Sequence, residues 1–160
     1  MVRYSIEKHH VCFPTKVLSE RVGRVLNMVI KEDTDNGTVC GKGAYVSFDQ
    51  YEVAEAPSAF EGEILEKAAD GNWYVEVKKI DPNSPAILIY EVPEIAENYN
   101  TEFTSVANFF NAASPERTKT VRGLVLGVTD VYELSEDAFE GVPAKGKKVT
   151  INGQMHVVAE

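Results

Sequence analysis

Cysteine is scarce in this chain. Cys12 and Cys40 are the only two in 160 residues. That is too few for a disulfide framework, so both are expected as free, buried thiols. Histidine is nearly as rare, at His9, His10 and His156. His9-His10-x-Cys12 has metal-ligand residue types, but a structural zinc site needs four convergent ligands, and solvated histidines on a terminal arm are the expectation. No apolar run approaches the ~20 residues that span a bilayer. Met1 to His10 lacks the apolar stretch of a secretory signal, so the glycosylation match at Asn36-Gly37-Thr38 reads as accidental. Positive charge is in deficit: 16 Lys and Arg stand against 25 Asp and Glu, a formal net charge of −9. Such a surface repels nucleic-acid phosphates and anionic lipid, and suits solubility or a basic docking partner.

Catalytic patterns are missing too. There is no Gly-x-Ser-x-Gly elbow, and no motif places a histidine beside either cysteine. Gly41-Lys42-Gly43 is too short for a phosphate-binding loop. Asp33-Thr34-Asp35-Asn36-Gly37 approaches a calcium loop, but counted from Asp33 the glycine falls one place early. Counted from Glu32, Gly43 stands where the bidentate glutamate belongs. The stretch reads instead as an ordinary hairpin turn. Glu91, Glu94 and Glu97, like Glu133, Glu136 and Asp137, sit close in sequence and are read as solvated acidic faces. A hydrolase built on them is the weakest of the functional readings. No cofactor or metal is expected.

What the sequence does contain is β-structure. A hydrophobic fraction of 44% with 26% charged residues excludes wholesale disorder, and the length allows one domain or two small β-modules sharing a core. Ala59-Phe60-Glu61-Gly62 leads into a strand, Asp70-Gly71 and a second strand through Trp73 to Val77. Ala138-Phe139-Glu140-Gly141 leads likewise to Asn152-Gly153 between two strands. Asp-Gly and Asn-Gly suit two-residue hairpins. With Asp70-Gly71 as the turn, Glu66 faces Val75 and Ile64 faces Val77, giving an apolar face of Ile64, Trp73, Val75 and Val77. Glu66 is the misfit and is expected at an edge, near water.

Elsewhere Val11-Cys12-Phe13 is a short apolar run ended by Pro14, an extended arm or a first strand. Arg24 to Ile30, Thr38 to Cys40 and Ala44 to Phe48 read as strands, with Gly41 and Gly43 marking a bulge or corner. Tyr51 to Ala59, interrupted by Pro57, reads as a loop. Ala86 to Tyr90 is a continuous apolar strand of the kind buried on both faces. Ile95, Tyr99, Phe103, Val106 and Phe110 recur at helical spacing, which fits a short helix or an aromatic-pinned loop. Val121 to Leu134 supplies further strands, and Ser135 is placed to cap one turn through Ala138.

The expected fold is therefore mainly β: a small barrel or sandwich of short antiparallel strands with one or two short helices. Residues 1–23 form an amino-terminal arm and 24–160 the β domain. The repeated passage leaves two arrangements open, two related halves (24–92 and 121–160, joined by an aromatic segment 93–120) or a chance recurrence. Tyr4 and Ile6 on the arm, with Tyr74, Phe109 and Phe110, are the candidate interface residues.

At Asp35-Asn36-Gly37 with Gly41-Lys42-Gly43, at Glu94-Ile95-Ala96-Glu97 before Tyr99, and at Val131-Tyr132-Glu133-Leu134-Ser135, the chain resembles small head-associated proteins of tailed bacteriophages, of the capsid decoration or auxiliary type. The resemblance runs diffusely from about Arg24 to the end. It implies a non-enzymatic virion protein on the capsid surface, made in the host cytoplasm. The implied partners are the major capsid protein or other virion proteins and further copies of itself, without nucleic acid or membrane. The alternative is a cytoplasmic β-barrel binding module for a small ligand or a protein.

Overall fold

Short alternating segments separated by turn residues are what the sequence predicts, and the computed structural model is built of them. It describes residues 10–19, 23–30, 34–47, 50–55, 57, 59–90, 109–110 and 119–160. In chain order the strands are β1 (Cys12–Lys16), β2 (Val25–Ile30), β3 (Thr34–Asp35), β4 (Val39–Tyr45), β5 (Gln50–Ala54), β6 (Glu61–Lys67), β7 (Trp73–Lys79), β8 (Ile87–Ile89), β9 (Phe109–Phe110), β10 (Lys119–Val125), β11 (Val131–Leu134), β12 (Phe139–Glu140), β13 (Lys148–Asn152) and β14 (Met155–Val158). A 3-10 turn, Glu136–Ala138, precedes β12. The fold is mainly β, as expected.

Two larger sheets divide the chain. β10, β2, β5, β4 and β8 close into a barrel, and a seven-stranded sheet runs in the order β1, β11, β7, β6, β13, β14, β12. β3 and β9 make a small third sheet. Pairing is antiparallel except for β2 with β5 and β12 with β14. Residues 24–92 and 121–160 both contribute to both larger sheets, since β10 closes the barrel while β6 and β7 sit in the sheet.

The alternation along β8 explains how the two bodies join. Ile87 and Ile89 pack with Met28, Ile30, Cys40 and Val121 inside the barrel. Ala86 and Leu88 point the other way, into a second core with Ile64, Val75, Val77, Leu124, Tyr132 and Leu134. All of Ala86 to Ile89 are fully buried, so this strand is covered on both faces, as its unbroken apolar run predicts. Burial of each of its Ile and Leu side chains is worth about 1.5–3 kcal/mol.

The β6–β7 hairpin forms, with a turn one residue longer than expected. Ile64 faces Val75 and Gly62 faces Val77, with irregularities flanking this register. The Ala68 N–H donates to the Asn72 carbonyl at 2.7 Å and the Gly71 N–H to the Ala68 carbonyl at 3.0 Å. Gly71 takes φ +92°, the left-handed position of a three-residue loop, and this extra residue together with the irregularity between Ile64 and Lys67 shifts the predicted pairing by two residues. Glu66 is exposed, beyond the stretch where β13 pairs with β6 at Gly62 and Glu63. The second hairpin pairs Asn152 with Met155, so its loop is Gly153-Gln154 and Asn152 ends the strand.

Three expectations are corrected. Tyr51 to Ala54 is strand β5, not loop, because Tyr51 and Val53 alternate inward against the barrel core. The glycines of β4 make room for it: a Cβ on Gly43 would lie 2.5 Å from the Glu52 carbonyl oxygen, and the β4–β5 register shifts between Lys42 and Tyr45. Asn36-Gly37 turns the chain without making a hairpin, since β2 pairs with β10 and β5 but not with β4. Pro14 does not end its strand. β1 is an outer strand whose register with β11 shifts between Phe13 and Lys16, and an edge irregularity tolerates a residue with no N–H to donate. Of the aromatic stripe, Phe110 lies in strand β9, paired with Thr34; Ile95, Tyr99, Phe103 and Val106 lie outside the described residues.

Candidate functional site

The polar groups that stand out lie where the seven-stranded sheet meets the barrel. β11 and β14 each turn one polar ring inward. The Tyr132 hydroxyl and His156 Nε2 are 2.7 Å apart, and both residues are fully buried. His156 is ringed edge-on by Phe60 at 6.5 Å, Tyr132 at 5.6 Å and Phe139 at 5.9 Å between centroids. The two phenylalanines of the repeated Ala-Phe-Glu-Gly passage thus converge on one histidine. Edge-to-face geometry of this kind adds about 0.5–1.5 kcal/mol per pair beyond the area buried. Burial holds the imidazole neutral, lowering its pKa from 6.5 to about 3, with the nearby His10 adding to the shift. Burial raises the Tyr132 phenol well above its ordinary range. His156 Nδ1 is buried with no hydrogen-bond partner.

The expectation of solvated histidines on the arm is therefore corrected at His10, while His156, on which no such expectation rested, is fully buried. His156 occupies an inward position of β14 on the same face as Val158. His10 is half-buried, with Nδ1 3.5 Å from Asp35 Oδ2. The Asp35 N–H donates to Gln154 Oε1 at 2.9 Å, so the β13–β14 turn is tied to β3. Beside this tie lies a cleft of about 560 Å³ lined by Thr34, Thr38, Val53, Ala54, Glu55 and Gln154 among others. It separates β3–β5 from the tip of the second hairpin.

A second polar group gathers at the first hairpin tip. Asn72 Nδ2 donates to Glu133 Oε1 at 3.2 Å, and the Asn72 N–H to Asp70 Oδ1 at 3.1 Å. Burial first, then a proton shared with Asp70, pushes the Glu133 carboxyl up to about 6. The same hydrogen bond holds Asp70 below its ordinary value. Glu133 is 7% exposed, which corrects its assignment to a solvated acidic face; Glu136 and Asp137 are exposed as expected. Ser135 flanks the 3-10 turn, but its hydroxyl accepts from the Val11 N–H at 2.8 Å and donates to Asp137. It fastens the amino-terminal strand rather than capping the turn.

Of the candidate interface residues, Tyr4 and Ile6 lie outside the described residues. Tyr74 is half-buried in β7 opposite Glu133. Phe109 and Phe110 form β9 in a different sheet. Among the residues whose burial is described, the exposed large apolar side chains are Phe13, Leu18, Tyr45, Val46, Val128 and Val142. Tyr45 meets Tyr51 edge-on at 5.6 Å, and the Lys42 ammonium sits 4.0 Å from the Tyr51 ring centre.

The chemistry open to these groups is narrow. Tyr132 and His156 are sealed from solvent, so they cannot exchange protons with a substrate. Among the described residues no three His, Cys, Asp or Glu side chains gather as a metal site, and no helix is long and apolar enough to cross a membrane. Both cysteines are free and buried. Desolvation raises both thiols, with the Glu133 charge adding to the effect at Cys12, which keeps them out of the reactive thiolate form. Replacing both with serine is expected to leave a melting temperature that reductant does not move, at a loss of about 1–3 kcal/mol per buried hydroxyl. Thermal scans with and without dithiothreitol check this. A reductant-sensitive step seen only in the unsubstituted protein would mean that a disulfide forms.

No protein-family model, curated protein or solved structure matches the chain.

Proposed function

We propose that this chain is a non-enzymatic structural protein of a tailed-bacteriophage head, a decoration or auxiliary protein that binds the capsid and reinforces it. The observation that carries the reading is where the amino-terminal arm joins the fold. Residue 10 leads directly into β1, the outermost strand of the seven-stranded sheet. Among the described residues β1 has a strand partner on one side only, so a segment continuing from it has an unpaired edge beside it and a neighbouring subunit within reach. Its ordering would cost roughly 1–2 kcal/mol per residue, a cost that many repeated contacts on a shell can offset. The acidic surface, the sealed polar pair and the resemblance at Asp35 to Gly43 and Val131 to Ser135 support the same reading. The implied partners are the major capsid protein and further copies of the chain.

The test is co-sedimentation with purified shells that lack the protein, comparing the full chain with a variant missing residues 1–9. Saturable binding by the full chain, weakened at least tenfold by the deletion, is expected. No binding by either form would overturn the capsid reading. Equal binding by both would remove the arm from it. The alternative, a cytoplasmic barrel-type binding module, is less favoured because side chains of Met28, Ile30, Cys40, Ile87, Ile89 and Val121 fill the barrel interior.

A further inference from the structure

We propose that the cleft between β3–β5 and the β13–β14 turn receives the amino-terminal arm, residues 1–9, of a second copy of this chain. The proposal rests on the arm acting in assembly, as above, but not on the capsid being the partner.

The arm's sequence describes what it needs. Val2, Tyr4 and Ile6 alternate with Arg3, Ser5 and Glu7, the pattern of an extended segment with one apolar face and one polar face. Arg3 and Lys8 outweigh Glu7, so the arm is cationic while the whole sequence carries −9. The cleft supplies the complement. Val53, Ala54 and Ile151 offer apolar surface, and Glu55 is the one charged residue in its lining among the described residues. Glu55 is exposed, free to meet a cation at the mouth. A space of about 560 Å³ admits a few side chains of an extended strand but not a folded element.

The place where the arm leaves the fold points to a two-fold pair of copies. Val11 is held at both ends: its N–H donates to Ser135 Oγ at 2.8 Å and its carbonyl accepts from the Ser135 N–H at 2.9 Å. His10 lies against Asp35, and Asp35 adjoins Thr34 in the cleft lining. Exit and receptor therefore lie side by side on one face. When two copies meet across a two-fold axis through that face, each arm's exit lies opposite the other copy's cleft. Both clefts then fill by the same contact, the self-complementary arrangement of a closed dimer.

The experiment uses purified protein without shells, so its failure and that of the capsid reading are separable. Size-exclusion chromatography with light scattering is run across concentration on the full chain, on the form lacking residues 1–9, and on Glu55→Lys and Ala54→Arg. The full chain is expected to reach dimer mass, and the deletion to remain monomeric. Ala54→Arg obstructs the cleft and Glu55→Lys reverses its charge, so each weakens dimerisation at least tenfold. Because Glu55 is exposed, Glu55→Lys keeps the test valid should Ala54→Arg fail to fold. A synthetic peptide of residues 1–9, titrated calorimetrically into the deletion form, is expected to bind one to one and to lose at least tenfold in affinity when Glu55→Lys is added. A full chain monomeric at every concentration, a dimer that survives the deletion, or peptide binding indifferent to Glu55→Lys each overturns the proposal. Peptide binding to the deletion form beside a strictly monomeric full chain would place the arm on its own body and overturn the exchange between copies.

Discussion

Gly37→Ala is expected to lose about 2–5 kcal/mol, a large part of the 5–15 kcal/mol that holds a typical domain together. Two costs fall on one atom. Gly37 has φ +84°, where a Cβ crowds its own backbone by about 1–2 kcal/mol. That Cβ would also lie 2.5 Å from Leu134 Cδ2 and 3.1 Å from Cys12 Cβ, an overpacking that costs a further 1–3 kcal/mol. Leu134 and Cys12 belong to the seven-stranded sheet, whereas Gly37 lies between β3 and β4 and donates its N–H to the Ile89 carbonyl of the barrel at 2.9 Å. The methyl group would thus wedge the two bodies apart. Gly146→Ala is the control, because Gly146 has the same φ of +84° but nothing within 4 Å of its added Cβ. Urea midpoints of the two variants separate strain from crowding. A Gly37→Ala loss no larger than that of Gly146→Ala would show that the seam yields without cost.

Acidification is expected to destabilise the fold through His156. Its imidazole is held neutral in the folded protein with a pKa of about 3 against an ordinary 6.5, so between those values the unfolded chain binds the extra proton. Stability therefore falls as pH drops through 6.5 and goes on falling until about pH 3, by about 1.4 kcal/mol per pH unit and about 4–5 kcal/mol in total. Glu133 acts in the opposite sense. Its folded value of about 6 lies above the ordinary 4.5, so the folded state holds that proton more tightly, and this contribution to stability is lost as pH rises from 4.5 to 6. Asp70, held low by the same hydrogen bond, offsets part of it. The difference between the unsubstituted protein and His156→Gln isolates the histidine. Urea midpoints from pH 7 to pH 4 should fall more steeply in the former, and parallel slopes would refute the assignment. Tyr132→Phe, which leaves Nε2 unpaired, should cost about 1–3 kcal/mol at pH 7.

The sequence made the local features legible and the long-range ones obscure. Asp70-Gly71 marked its hairpin because turn chemistry acts within four residues, and the Ala86–Ile89 run marked a strand covered on both faces because every residue in it is apolar. β5 was hidden by Pro57, three residues beyond its end, although Tyr51 and Val53 carry the alternation of a half-buried strand. The barrel was unreadable in detail because its closure joins β10 to β2 across more than half of the chain, and nothing in a strand names its distant partner. The same holds for the buried pair. His156 and Val158 share one face of a strand, a signal that His156 points inward, but nothing marks Tyr132 or the rings of Phe60 and Phe139 as its neighbours. The repeated Ala-Phe-Glu-Gly was visible, while its convergence on His156 was not.

The strand order also sets a timetable for the nascent chain. The β6–β7 and β13–β14 hairpins need only their own residues and can form within microseconds. The barrel must wait for β10 at residues 119–125, and β1 finds its partner only when β11, at residues 131–134, has left the ribosome. Most of these 160 residues are therefore made before either sheet can be completed. Pairing at such sequence separation places folding in the slow range of milliseconds to seconds. Until then the apolar strand β8, destined to be covered on both faces, lacks Val121 from one cover and Leu124, Tyr132 and Leu134 from the other, and is the segment most in need of protection from its neighbours in the cell.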